Sequence, residues 1–172
     1  VEVMGHKVGW LTLYAGISGG ADIILLPEIP YDINVVCDAI TKRSKAGKRF
    51  SILAVAEGAI SKEDAGMTKK ELKEKKKNGV VYPSVAYEIG ARIQEVTGSE
   101  VRVTVPGHMQ RGGEPCPYDR VLATRLGAAA ARLIADEEYG YMVALKNNEI
   151  TKVPLSEVAG KLKTVAPGCS MI

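Results

Sequence analysis

The chain has 172 residues, 46% of them apolar, and 23 Lys and Arg against 20 Asp and Glu leave a net charge of +3. That is enough apolar material for one compact domain with its own core. The positive charge is too small and too dispersed to argue for nucleic acid, and no apolar run approaches the roughly 18 residues a membrane span needs. Three cysteines, Cys37, Cys116 and Cys169, lack metal or redox spacing and fit a reducing, cytoplasmic compartment.

The chain opens at Val1 on what reads as the end of a buried strand, so it is expected to be the carboxyl-terminal half of a longer protein. Residues 8–19 place Val8, Leu11, Leu13, Tyr14 and Ile17 at roughly helical spacing, and Gly19-Gly20 ends the run. Residues 22–28 contain an unbroken Ile-Ile-Leu-Leu, suited to a strand buried on both faces. Asp32 can cap a helix to Ala46 with Lys42, Arg43 and Lys45 at its negative end. Residues 48–57, with Phe50, Ile52, Leu53 and Val55, are strand-like again.

Residues 61–82 are polar and read as a short helix and loop, and the six Lys within 69–77 as a solvated helical face. A helix over 84–96 stops at Gly98, and 100–105 alternates into a strand. Residues 118–138 form the clearest helix, rich in Ala and Leu. A hairpin turns at Asn147-Asn148 between 141–146 and 149–153, and a short helix covers 154–162. Alternating strands and helices imply an α/β fold with a Rossmann-like, mostly parallel layered sheet. In such sheets ligands gather at the carboxyl ends of strands, and Met4, Glu57 and His108 each follow a predicted strand.

Residues 106–120 read Pro-Gly-His-Met-Gln-Arg-Gly-Gly-Glu-Pro-Cys-Pro-Tyr-Asp-Arg. His108 and Arg111 offer donors to an anion, Gly112 and Gly113 allow backbone N–H groups to come close, and Pro115 and Pro117 stiffen the entry to the next helix. A loop-to-helix junction of this kind suits phosphate. The stretch resembles the His-x-Gln-Arg-Gly-Gly signature of the 6-phosphofructokinases. Three further blocks resemble that family in order: Val-Glu-Val-Met-Gly-His at 1–6 with the helix and Leu-Pro-Glu that follow, Ala-Val-Ala-Glu-Gly at 54–58, and Arg102 six residues before His108.

The resemblance implies phosphoryl transfer from ATP or pyrophosphate, with Mg²⁺, to the 1-hydroxyl of fructose 6-phosphate in glycolysis. Met4, Gly5 and His6 would line the sugar, Glu57 would accept from its hydroxyls, and His108 and Arg111 would hold the 6-phosphate. Arg102 would reach the 6-phosphate of an adjacent subunit in a homodimer or homotetramer. His6 stands where the family has Arg and supplies less positive charge at neutral pH. Gly20, Asp22, Lys48 and Arg49 match effector-site positions, with Asp22 in place of Glu and Ala46 in place of Lys.

The donor loop and the catalytic base of the family are not in this sequence, so no catalytic residue is expected here and the isolated chain is expected to be inactive. Residues 1–125 are expected to form the sugar-phosphate domain, and 126–172 a segment packing back on the donor domain. The alternative is a non-catalytic domain that binds sugar phosphate for regulation, with a basic interaction module acting through 69–77 a remoter one.

Overall fold

The structure, a computed structural model, describes residues 1–172 except the side chains of Lys69 and Lys76. In chain order it comprises β1 (Glu2–Val3), α1 (Trp10–Ser18), β2 (Ile23–Leu25), α2 (Ile33–Lys45), β3 (Leu53–Ala56), α3 (Lys62–Ala65), α4 (Lys69–Asn78) and α5 (Val85–Thr97). A 3-10 turn (Gly107–Arg111), α6 (Pro117–Ala135), β4 (Tyr141–Lys146), β5 (Glu149–Pro154) and α7 (Leu155–Val158) follow. The chain divides into two compact units, Val1–Gln110 with Thr164–Ile172, and Arg111–Lys163.

In the first unit β1, β3 and β2 form a parallel sheet in that order, with Val3 opposite Ala56 and Leu25 opposite Val55. Alternate residues of the apolar run in β2 serve opposite faces. Leu25 joins Val55, Val36, Cys37, Ile89 and Ile93 in a core between the sheet, α2 and α5. Ile24 and Leu26 instead meet Leu13 of α1 and Val165 of the tail. A run apolar at every position is what two covered faces require. Gly16 lets α1 lie close to the sheet, since a Cβ there would stand 2.6 Å from the Ile24 side chain.

Capping and ion pairs fix the helix ends. The Asp32 side chain accepts from Asn34 N, and Arg43 near the other end of α2 pairs with Asp22 at 2.6 Å. Asp22 also accepts from Ile52 N at 2.8 Å. Glu2 is buried, and its carboxylate accepts from Ala86 N at 3.0 Å in the first turn of α5, a negative group at the positive end of a helix. Thr68 and Glu71 form a reciprocal capping box on α4. Lys70, Lys73 and Lys77 of that helix are exposed and Lys75 pairs with Asp64, whereas the Lys69 and Lys76 side chains of the basic run lie outside the described residues.

Several expected boundaries change. The strand expected over 48–57 begins only at Leu53, because β1 and β2 pair with it no earlier, and Phe50 is 73% exposed. Residues 100–105 form no ladder. A single backbone bond joins them to β1, Glu2 N to Thr104 O at 2.9 Å, while Val101 and Val103 face Gly90 of α5. The helix expected over 154–162 stops at Val158, since Ala159 is extended and Gly160 takes a positive φ of 74°. Residue 125 falls inside α6, whereas the compact units separate after Gln110 and after Lys163. The tail belongs to the first unit because Val165 is 1% exposed in its core.

In the second unit β4 and β5 pair antiparallel with Lys146 opposite Glu149. Asn147 and Asn148 both take positive φ, 50° and 66°, the conformation a two-residue hairpin turn needs. Arg125 of α6 donates to Asn148 O at 2.8 Å. No helix among the described residues is long and apolar enough to cross a membrane.

Candidate functional site

Because β1 and β3 run parallel, their carboxyl ends emerge on the same side, and the segments leaving them touch. Glu57 N donates to Val3 O at 2.9 Å, extending the pairing by one step. The Glu57 side chain then turns onto the other segment, where Oε1 accepts from Gly5 N at 3.1 Å and His6 N at 2.6 Å. A carboxylate taking two backbone N–H groups is a charge-assisted clamp. His6 sits at φ 55°, in the left-handed region. Its carbonyl oxygen occupies the space a Cβ on residue 58 would need, so the position after Glu57 must be glycine.

A third segment joins them. In the turn Gly107–Arg111, the Gln110 side chain accepts from Met4 N at 3.2 Å and donates to Gly107 O at 3.1 Å. Met109 N closes the turn on Pro106 O at 3.2 Å. His108 is exposed within this turn. Met4, Gly5, His6 and Glu57 are thus brought into one cluster, with the His108 turn attached through Gln110. Arg111, also exposed, is the last residue of the turn and the first of the second unit.

The remaining predicted residues lie elsewhere. Arg102 is exposed and paired with Glu100 at 2.9 Å, a surface ion pair worth about 0–1 kcal/mol. Arg102 lines a cavity of about 240 Å³ together with Lys48 and Arg49. Asp22 lines a different cavity of about 540 Å³, beside Leu25, Tyr31 and Ile172, and is committed to Arg43 and Ile52. Gly20, at φ 68°, is the turn between α1 and β2. Of the four positions matched to an effector site, Lys48 and Arg49 line the first of these cavities and Asp22 the second, and neither of the two is lined by Met4, Glu57 or His108.

Sequence reasoning missed two carboxylates that set this end of the sheet. Glu28 accepts from Gly9 N at 3.0 Å, at the start of α1, and from Val165 N at 2.9 Å. Glu2 holds α5. Their signal was an acidic residue inside or directly after an apolar strand, where an unpaired charge is costly. Asp119 lies in the first turn of α6 and accepts from the Cys116 thiol at 3.3 Å. Among the described residues no group of three or more His, Cys, Asp or Glu side chains is arranged to hold a metal ion.

Comparison with known proteins supplies the family. The family model described as Phosphofructokinase matches residues 1–134. The ATP-dependent 6-phosphofructokinase of Spirochaeta thermophila is 55% identical over the whole of this chain, which spans 47% of that relative. The structure of phosphofructokinase from Saccharomyces cerevisiae superposes with a TM-score of 0.72 at 33% identity, over 91% of this chain and 19% of that one. The pyrophosphate-dependent phosphofructokinase of Nitrosospira multiformis, at 20% identity and a TM-score of 0.76 over 96% of this chain and 41% of its own, shares the fold. The chain therefore spans about half the length of the curated relatives it matches, and with 134 of its 172 residues under the family model it belongs to the phosphofructokinase family.

Proposed function

We propose that this chain supplies the fructose 6-phosphate site of a 6-phosphofructokinase, an enzyme that transfers a phosphoryl group to the sugar 1-hydroxyl and yields fructose 1,6-bisphosphate. The observation that carries this reading is the meeting of three segments, Met4–Gly5–His6, Glu57–Gly58 and the His108 turn, at the carboxyl ends of a parallel sheet. Met4 and Gly5 line the sugar, and the Glu57 carboxylate, oriented by its clamp on Gly5 and His6, accepts from sugar hydroxyls. His108 and Arg111 hold the 6-phosphate by charge-assisted donors. His6 adds an imidazole where a permanent cation is usual, so charge stabilisation in phosphoryl transfer is weaker here or is supplied by another group.

Arg102, carried outward beside Glu100, reaches the 6-phosphate of an adjacent subunit in a homodimer or homotetramer. The phosphoryl donor favoured here is ATP, by analogy with the relatives at 55% and 46% identity, both named ATP-dependent. Pyrophosphate is the alternative donor. The catalytic base belongs to the part of the enzyme not represented in this chain. Mg²⁺ supplies charge neutralisation at the donor phosphates in such reactions, and no step is assigned to it through these residues. What this chain does is bind and orient the acceptor, and of the segment 126–172 expected to pack against the donor domain, residues 164–172 also belong to the first unit.

The test is the full-length enzyme carrying Arg111→Ala, titrated with fructose 6-phosphate. Removing one charge-assisted contact of about 1.5–3 kcal/mol raises the half-saturation concentration about 10- to 150-fold. An unchanged value removes Arg111 from the site. The isolated 172 residues are expected to show no turnover, and measurable kinase activity would contradict the assignment of the base to another part of the enzyme.

A further inference from the structure

Gln110 is exceptional in the cluster because its amide is used at both ends. Its oxygen accepts from Met4 N, in the segment leaving β1, and its nitrogen donates to Gly107 O, in its own turn. Gly107, at φ 55°, immediately precedes His108, so the amide fixes the peptide from which the His108 side chain departs. The same amide reaches the segment whose next two residues, Gly5 and His6, are held by Glu57. His108 and Glu57 are thereby set relative to one another through a single side chain.

We propose that Gln110 is a positioning residue that sets affinity for the sugar phosphate by holding the His108 turn in register with the Glu57 clamp; this rests on the functional reading above. No other common residue performs both tasks. Glu keeps the acceptor for Met4 N but turns a second oxygen toward Gly107 O. Met fills the volume and makes neither bond. Asn is one methylene short of spanning the gap. Because the amide joins two binding segments and touches no reacting atom, its loss affects capture of the acceptor and leaves the chemical step intact.

The experiment uses the full-length enzyme with Gln110→Met, Gln110→Glu, His108→Ala and the Gln110→Met/His108→Ala double substitution. The expected result is a KM for fructose 6-phosphate raised about 10- to 100-fold in both Gln110 variants, with kcat and the donor KM within about 3-fold of the parent. The double variant should fall short of the product of the two single effects, since Gln110 acts through His108. The proposal is overturned if the Gln110 variants keep the parental KM while His108→Ala raises it. It is overturned equally if their only effect is a lower melting temperature, or if the two effects multiply in full. If His108→Ala and Arg111→Ala also leave the KM unchanged, the reading of the site fails and this proposal fails with it.

Discussion

His6 holds a backbone conformation that L residues seldom adopt, and two neighbours keep it there. Glu57 accepts from its N–H, and the missing Cβ of Gly58 makes room for its carbonyl oxygen. Left-handed backbone costs an L residue about 1–2 kcal/mol, partly offset in a glycine by the larger entropy of its unfolded chain. His6→Gly is therefore expected to leave stability unchanged or raise it by up to about 1 kcal/mol, read from urea unfolding, although the side chain is lost. Gly58→Ala should act in the opposite sense, because the new methyl meets a backbone oxygen that cannot swing away. A loss of about 1–3 kcal/mol is expected, with weaker fructose 6-phosphate binding in the full-length enzyme. A Gly58→Ala protein as stable as its parent would show that the two segments do not approach as described. That Glu57 sits at a strand end was legible from the apolar run before it. That one of its oxygens would be spent on Gly5 and His6 was not, because those partners lie 52 and 51 residues away in the chain.

Elements whose signals are local were read almost to the residue. Asp32 before α2, Gly98 after α5 at φ 67°, and Asn147-Asn148 between β4 and β5 each carry their own stop or turn chemistry. Replacing Asn148, at φ 66°, with glycine should stabilise the hairpin by up to about 1 kcal/mol, seen as greater amide protection across the Val143–Lys152 and Leu145–Ile150 pairs. The capping box on α4 gives a pH prediction. Hydrogen bonds from the Thr68 hydroxyl and backbone N–H hold the Glu71 carboxyl below its ordinary value of 4.5. A depressed carboxyl contributes stability that is complete above 4.5 and lost as the pH falls through the lower folded-state value. Protection of the Thr68 and Glu71 amides should accordingly fade in that acid window, and Glu71→Gln should flatten the dependence. Residues 48–52 and 100–105 were misread as strands because a ladder depends on its neighbour as well as on alternation. β1 spans only Glu2–Val3, and neither segment finds a continuous partner there.

At the scale of the whole molecule, the tail completes the first unit. Residues 164–172, which follow the second unit in the chain, belong to the first, and Val165 enters the cluster of Leu13 and Leu26 at 1% exposure. Its N–H goes to Glu28, whose carboxylate also holds Gly9 at the start of α1. One carboxylate thus ties helix, strand end and tail together, on the face of the sheet opposite α2 and α5. Nothing in the tail's composition announces this: Thr-Val-Ala-Pro-Gly-Cys-Ser-Met-Ile is short, and its partner lies 137 residues earlier. Val165→Ala removes two buried methyl groups and should cost about 1–3 kcal/mol. Deleting residues 164–172 removes the whole side chain, uncovers Leu13 and Leu26, and leaves Glu28 without its Val165 donor, so it should cost more than Val165→Ala. Pro167→Ala, at an exposed position, is the control and should change little. Urea midpoints of the full-length enzyme and its variants order the three. If the deletion unfolds no earlier than the control, the tail is an appendage and the first unit ends at Gln110.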